Sequence, residues 1–123
     1  MPKVLRIIKD ANHAIFPTPN NNGTYNLTAI SIIDSWISGA KTYDTGLVLE
    51  SEHISVDLVV DPQLVKYGYK MVNHGTLNTG RITIVLVKFD QTMPDLVLPM
   101  VVAQMIPLSV EHVGVEEIPS ESL

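Results

Sequence analysis

Histidines are the first side chains in this sequence that could bind a metal or move a proton, because imidazole titrates near neutral pH. The chain has four of them, His13, His53, His74 and His112. No two of them are two or four residues apart, and a metal site normally needs three or four ligands. The chain has no cysteine, which excludes thiolate ligands, a thiol nucleophile and disulfides. The sequence therefore predicts no metal site and no cysteine-based catalysis.

Hydroxyl and phosphate chemistry have no supporting pattern either. No serine lies in the Gly-x-Ser-x-Gly turn that exposes a hydrolase nucleophile, and no glycine-rich loop is present that could hold phosphates. Eight lysines and arginines stand against thirteen aspartates and glutamates, so the net charge is −5. The basic residues are scattered, whereas nucleic-acid binding requires a concentrated positive surface. We expect no nucleic-acid partner.

The apolar runs are too short for a membrane protein. None reaches the roughly 18 residues that a membrane span requires. The segment Met1–Asn12 alternates charged and apolar residues and lacks the layout of a signal peptide. We expect a cytoplasmic or virion-associated protein that is not secreted and does not bind a membrane.

The elements that must position any site are strands, because apolar residues recur with a period of two. In His53–Val60 the alternate residues are apolar, and Arg81–Phe89 is apolar or β-branched on both faces, which is typical of a strand covered on both sides. A short helix is predicted at Asp34–Trp36 or Pro62–Val65. The remaining predicted strands are Val4–Ile8, Tyr25–Ile33, Leu47–Glu50, Tyr69–Val72, Val101–Leu108 and Val113–Ile118.

Short strands about 8–15 residues apart, separated by turns rich in proline and glycine, predict an all-β sandwich, jelly roll or small barrel. Residues 1–118 are predicted to form one domain, and residues 119–123 a solvated tail.

Several segments, in order, resemble motifs of the trimeric dUTPase and dCTP-deaminase superfamily. Gly23–Ala29 is similar to the first motif, Gly-Tyr-Asp-Leu-x-Ala, and Tyr43–Leu47 to the Thr-Gly-Leu strand that follows it. Gly75–Phe89 resembles the third-motif hairpin and its strand, and Leu98–Ile106 resembles the fourth motif. Val115–Ile118 is similar to the segment after it. The resemblance implies a dUTPase-like distorted barrel or jelly-roll subunit; an unrelated viral-type jelly roll is the alternative.

The resemblance also implies which residues would contact a nucleotide, and these residues depart from the family. Asn78 matches the aspartate that positions or activates the attacking water, and an amide cannot accept that proton. Asn26 matches the aspartate that supports the metal-bound phosphates. Gln104 alone is retained. If nucleotide binding survives, we expect it at these three residues with Mg²⁺; otherwise we expect no cofactor.

Two further family motifs have no counterpart. The phosphate-binding Arg-Ser-Gly is not found between Pro62 and His74, and the glycine-rich arm that closes over the nucleotide is missing because the sequence ends at Leu123. Loss of the base, the phosphate contacts and the lid together predicts a protein with no catalytic residues.

The resemblance implies a homotrimer. Hydrophobic residues make up 46% of the chain and charged residues only 17%, which favours further burial between subunits. The predicted trimer interface is the two-faced strand, with Ile82, Ile84, Val85, Leu86 and Val87.

Three functions remain open. The first is a non-catalytic homotrimer with a structural or protein-binding role, such as a viral accessory protein that decorates a capsid shell. The second is an enzyme that still binds or hydrolyses dUTP. The third is a regulator that binds a host protein through Trp36 or through the C-terminal tail, Ser120–Leu123, whose terminal carboxylate resembles a PDZ ligand.

Overall fold

A computed structural model describes residues 5–35, 39–50, 54–73, 75–77, 79–90, 92–109, 116–117 and 119. None of its helices in these ranges has both the length and the apolar character to cross a membrane. The elements are β1 (Ile7–Lys9), β2 (Thr18–Pro19), β3 (Tyr25–Ala29), β4 (Ser31–Ser35), β5 (Ala40–Glu50), β6 (Ile54–Val60), α1 (Pro62–Lys66), β7 (Tyr69–Met71), β8 (Gly75–Leu77), β9 (Thr79–Lys88) and β10 (Met100–Ser109).

The strands form two five-stranded sheets, which confirms the predicted all-β class. The first sheet has the order β1-β5-β9-β7, and β4 pairs with a second stretch of β5. The second sheet has the order β2-β3-β10-β6-β8. All pairs are antiparallel. β8 and β9 are consecutive but lie in different sheets, so the chain passes from the second sheet to the first between them.

Most predicted strands are confirmed with shifts of a few residues at their ends, but three predictions need correction. The single strand Tyr25–Ile33 is two strands, because the chain passes from the second sheet to the first at Ile30, whose N–H bonds the Asp44 carbonyl at 2.8 Å. The strand predicted at Leu47–Glu50 begins at Ala40. A helix at Asp34–Trp36 is wrong, because β4 runs through Ser35.

The other helix prediction is confirmed by α1. The Asp61 carboxylate caps the helix by accepting the Gln63 N–H at 2.9 Å, and Pro62 occupies the first turn, where its missing N–H costs nothing. Trp36 and the tail Ser120–Leu123 lie outside the described residues. So does the predicted strand Val113–Ile118, apart from Glu116 and Glu117, which are in no strand.

The core lies between the sheets, and β9 crosses its centre. Ile82, Ile84 and Leu86 are at most 1% exposed, because they face the second sheet within the same chain. Their side chains are therefore covered by the second sheet of the same chain, and the trimer interface assigned to this strand stays a prediction. Only Val85 and Val87, on the opposite face, stay partly exposed.

A bulge in β5 depends on one glycine. The pairing of β5 with β9 shifts between Asp44 and Val48, and the Thr45 hydroxyl bridges the interruption by donating to the Ile82 carbonyl at 2.7 Å. Gly46 lies within this interruption, between Asp44 and Val48, and has a φ of +70°. A Cβ on Gly46 would lie 2.8 Å from Ile30 Cδ1 and 2.9 Å from Ala14 Cβ. Position 46 thus requires glycine for both conformation and space.

Gly46→Ala should destabilise the fold more than Gly39→Ala. Gly39 also has a positive φ, +86°, but a Cβ there would meet nothing within 4 Å. We expect Gly39→Ala to cost about 1–2 kcal/mol of left-handed strain, and Gly46→Ala to add about 1–3 kcal/mol of overpacking. Urea unfolding measures both, and equal losses would contradict the packing argument.

Candidate functional site

The structure brings together two of the three residues that the resemblance assigns to a nucleotide. Gln104 on β10 lies directly opposite Asn26 on β3. Both are half-buried, and they point away from the core, because their neighbours Leu27 and Ala103 face it. The Asn26 amide oxygen accepts a hydrogen bond from Asn20 Nδ2 at 2.9 Å. Asn78, the third residue, lies outside the described part of the chain.

A cleft opens beside the hairpin that the sequence matched to the third motif. It lies between β8 and the first part of β9, which β7 does not reach, and its volume is about 260 Å³. The residues that line it are Leu58, Asn73, Gly75, Thr76, Leu77, Arg81 and Thr83. It is the candidate site, because polar side chains from three segments converge on one concave surface.

Two neutral polar side chains of the cleft, those of Asn73 and Thr76, already form hydrogen bonds within the chain. The Asn73 side chain continues the pairing of β9, because Nδ2 donates to the Thr83 carbonyl and Oδ1 accepts from the Val85 N–H, both at 2.8 Å. The Thr76 hydroxyl donates to Asp57 Oδ1 at 2.9 Å. A ligand that contacts Asn73 or Thr76 would have to compete with these bonds.

The cation of the cleft is held by two carboxylates. Arg81 binds Asp44 with a fork of two bonds, Nε to Oδ1 at 3.1 Å and Nη2 to Oδ2 at 2.9 Å, and its Nη1 donates to Asp10. Asp44 is buried and also accepts the Gly46 N–H at 3.1 Å. Hydrogen bonds to Asp44 and then to Asp10 raise the pKa of the Arg81 guanidinium. We call these three residues the Arg81 clamp.

Sequence reasoning missed the Arg81 clamp. Its members come from the end of β1, from β5 and from β9, and the separations along the chain are 37 residues for Asp44 and 71 for Asp10. The one signal in the sequence was Arg81 itself, a charged residue at the head of an otherwise apolar segment.

A second ionic cluster lies at the other end of the first sheet. Asp95 binds Lys88 at 2.9 Å and approaches Lys41 at 3.8 Å, and the Tyr69 hydroxyl donates to the Pro94 carbonyl at 3.4 Å. Burial, together with the nearby Tyr69 and Asp95, raises the pKa of Tyr43 to about 12. Tyr43 therefore stays protonated near neutral pH and cannot act there as a general base.

Metal binding has no cluster to support it in the described ranges, where no three histidine, aspartate or glutamate side chains lie close enough to share an ion.

Replacing Asp44 should cost more stability than replacing Asp10. Asp44→Asn removes charge-assisted bonds at a buried carboxylate, for which we expect a loss of about 1.5–3 kcal/mol. Asp10 is 53% exposed, so Asp10→Asn should cost less than about 1 kcal/mol. Chemical denaturation of both variants checks the order, and a larger loss for Asp10→Asn would contradict it.

Comparisons by sequence find no relative. No protein-family model matches the chain, and no curated protein does.

Comparison by structure finds dUTPases that match nearly the whole chain. EIAV dUTPase aligns with a TM-score of 0.72 at 15% identity, over 98% of this chain and 100% of that one. The dUTPase of phage phi11 of S. aureus, as the D95N mutant, aligns with a TM-score of 0.70 at 10% identity, over 94% and 96%. The dUTPase of Staphylococcus bacteriophage 80alpha, as the Y84I mutant, aligns with a TM-score of 0.67 at 10% identity, over 94% and 96%. At such identities the likeness concerns the fold, and it confirms the resemblance: this chain has a dUTPase-like fold.

Proposed function

We propose that this chain is a non-catalytic, dUTPase-like homotrimer that acts as a structural or protein-binding module. The observation that supports the proposal is that polar side chains of the cleft already form hydrogen bonds within the chain. The hydrogen-bonding groups of Asn73, Thr76 and Arg81 are engaged by other residues of the same chain. A triphosphate would have to compete with these internal bonds for the side chains of Asn73, Thr76 and Arg81.

The electrostatics of the cleft also oppose a phosphate chain. Arg81 is the one cation among the residues that line it, and two carboxylates surround that guanidinium. A phosphate approaching Arg81 would meet the negative charges of Asp10 and Asp44, in a chain whose net charge is already −5. With Asn78 in place of a base, water activation lacks its proton acceptor.

Residual binding of dUTP with Mg²⁺ is the second candidate. Two observations favour it: the cleft beside the hairpin persists, and Asn26 and Gln104 lie side by side on paired strands. For dUTP to bind in this way, Asn78 would have to complete the site. The bonds from Arg81 to Asp10 and Asp44 would also have to be replaced by bonds from Arg81 to phosphate.

The face proposed for the trimer interface is the outer surface of β9. Val85 and Val87 lie there between Thr42 and Ala40 of β5 on one side and β7 on the other. Phe89, at the end of the same row, is 65% exposed. Val85 and Val87 are partly exposed, and an exposed apolar strip gains stability when a second subunit covers it.

The partner of the trimer is proposed to be another protein. Decoration of a capsid shell is the leading role, which would place the protein on a virion or in the cytoplasm. Regulation of a host protein is the alternative. Phage dUTPases such as that of 80alpha control transfer of virulence genes, so a regulatory use of this fold has a precedent. The C-terminal tail would be the contact in that case.

The purified protein should not hydrolyse dUTP above background in the presence of Mg²⁺. Asn78→Asp alone should not restore turnover, because the phosphate contacts would still be missing. Release of dUMP, followed by chromatography, measures both. Turnover by the unmodified chain that is lost in Gln104→Ala would establish the enzyme reading instead.

The protein should sediment as a trimer at micromolar concentration, with about three times the 13.5 kDa mass of one chain. Val85→Asp should dissociate it, because a charge buried without a partner in the interface is unfavourable. Val97→Asp is the matched control, because Val97 is 83% exposed. A constant mass of one chain for the unmodified protein, or an intact trimer of Val85→Asp, would refute the assigned face.

A further inference from the structure

A second concave surface lies where the end of β6, the helix α1, the strand β7 and the end of β9 meet. We call it the β7 groove. Its volume is about 390 Å³, within the usual range for binding pockets. It shares no lining residue with the cleft at the hairpin. The residues that line it are Val59, Val60, Val65, Tyr69, Lys70, Met71 and Phe89.

The β7 groove is apolar and open to solvent. Val59, Val65 and Phe89 are each between 41% and 65% exposed. Tyr67 and Val72, next to α1 and β7, are also exposed. Of the twelve large hydrophobic side chains that are exposed in the described residues, five belong to these segments. Such a concentration is typical of a surface that contacts a partner.

The backbone of β7 adds a second feature. β7 is the last strand of its sheet, so one of its edges carries no strand among the described residues. The Gly68 carbonyl and the Val72 N–H bond to β9. Because bonding alternates along an antiparallel strand, the backbone groups of Tyr69 and Met71 point away from β9, toward the open edge. All three residues of β7 line the groove, so this edge borders it.

The charges at the rim indicate what kind of partner fits. Lys70 lines the groove and Lys66 ends α1, and neither forms an ion pair in the described part of the chain. Two carboxylates that lie close to the groove residues in the sequence accept hydrogen bonds from nearby backbone N–H groups. Asp61 accepts the Gln63 N–H at 2.9 Å, and Asp90 accepts the Thr92 N–H at 3.0 Å. The rim thus offers two lysines that are free of ion pairs in the described residues, on a chain that is acidic overall.

We propose that the β7 groove binds an extended segment of a partner protein in which apolar residues alternate with acidic ones. The segment adds to β7 as a further strand, with its apolar side chains in the groove and its carboxylates at Lys66 and Lys70. Strand addition of this kind takes its affinity from the backbone and its specificity from alternate side chains.

A second copy of this chain fits the surface less well. Lys70 is the middle residue of β7, so a two-fold contact centred on that strand would bring Lys70 of both copies close to the axis and to each other. An acidic segment instead neutralises both lysines. The inference rests on the proposed function only in that this chain binds other proteins, and it does not depend on the state of the hairpin cleft.

A labelled heptapeptide of alternating glutamate and valine is the probe, and the same peptide with lysine for glutamate is its control. Fluorescence anisotropy should show saturable binding of the acidic peptide, at least tenfold weaker for the basic one. Lys70→Glu should weaken binding at least tenfold, whereas Lys9→Glu, an exposed lysine on β1, should not. Amide chemical shifts of the unmodified protein should change at Tyr69–Met71 and Phe89.

Equal binding of the two peptides, unchanged binding by Lys70→Glu, or shifts elsewhere in the protein would overturn the proposal. So would self-association that Lys70→Glu abolishes without any peptide binding, because it would assign the groove to a second copy. Turnover of dUTP does not enter this readout, so failure of the groove and failure of the proposed function are separate results.

Discussion

The alternation of side chains along β9 is the constraint on which the rest of the structure depends. Once Ile82, Ile84 and Leu86 fill the core, the intervening residues must all lie on the other face. Arg81 then meets Asp44 and Asp10 at one end of the strand, and Phe89 lines the β7 groove at the other. One buried row thus sets the side of the sheet on which Arg81, the proposed interface and Phe89 of the groove lie.

The period of the apolar residues was enough to predict the all-β class and most strands, but not the inner face of β9. Both of its rows are apolar or β-branched, so the pattern gave no reason to choose between them. The beginning of β5 was not predicted, because several of its buried residues are polar rather than apolar. Thr42, Asp44 and Thr45 are buried although they are polar, and at Asp44 and Thr45 hydrogen bonds to distant residues compensate for that burial. No local pattern contains those partners.

The candidate site was predictable only where the resemblance supplied an alignment. It placed Asn26 and Gln104 on segments that the structure pairs directly, but neither residue lines the cleft. The Arg81 clamp was not predictable, because Asp10 follows β1 while Asp44 and Arg81 lie on β5 and β9, and the three share no motif. Yet the clamp gives the cleft its chemical character, since it engages the one cation of the lining. In this dUTPase-like fold, polar side chains that line the cleft therefore bind other residues of the same chain.

A calorimetric titration with the non-hydrolysable analogue dUpNHpp and Mg²⁺ tests this claim most directly. The account predicts no saturable heat up to about 1 mM ligand, a limit that corresponds to about −4 kcal/mol of binding free energy. It also predicts no change in the amide shifts of residues 73–83. Saturable binding with shifts in that segment would show that a nucleotide displaces the internal bonds, and would contradict the account.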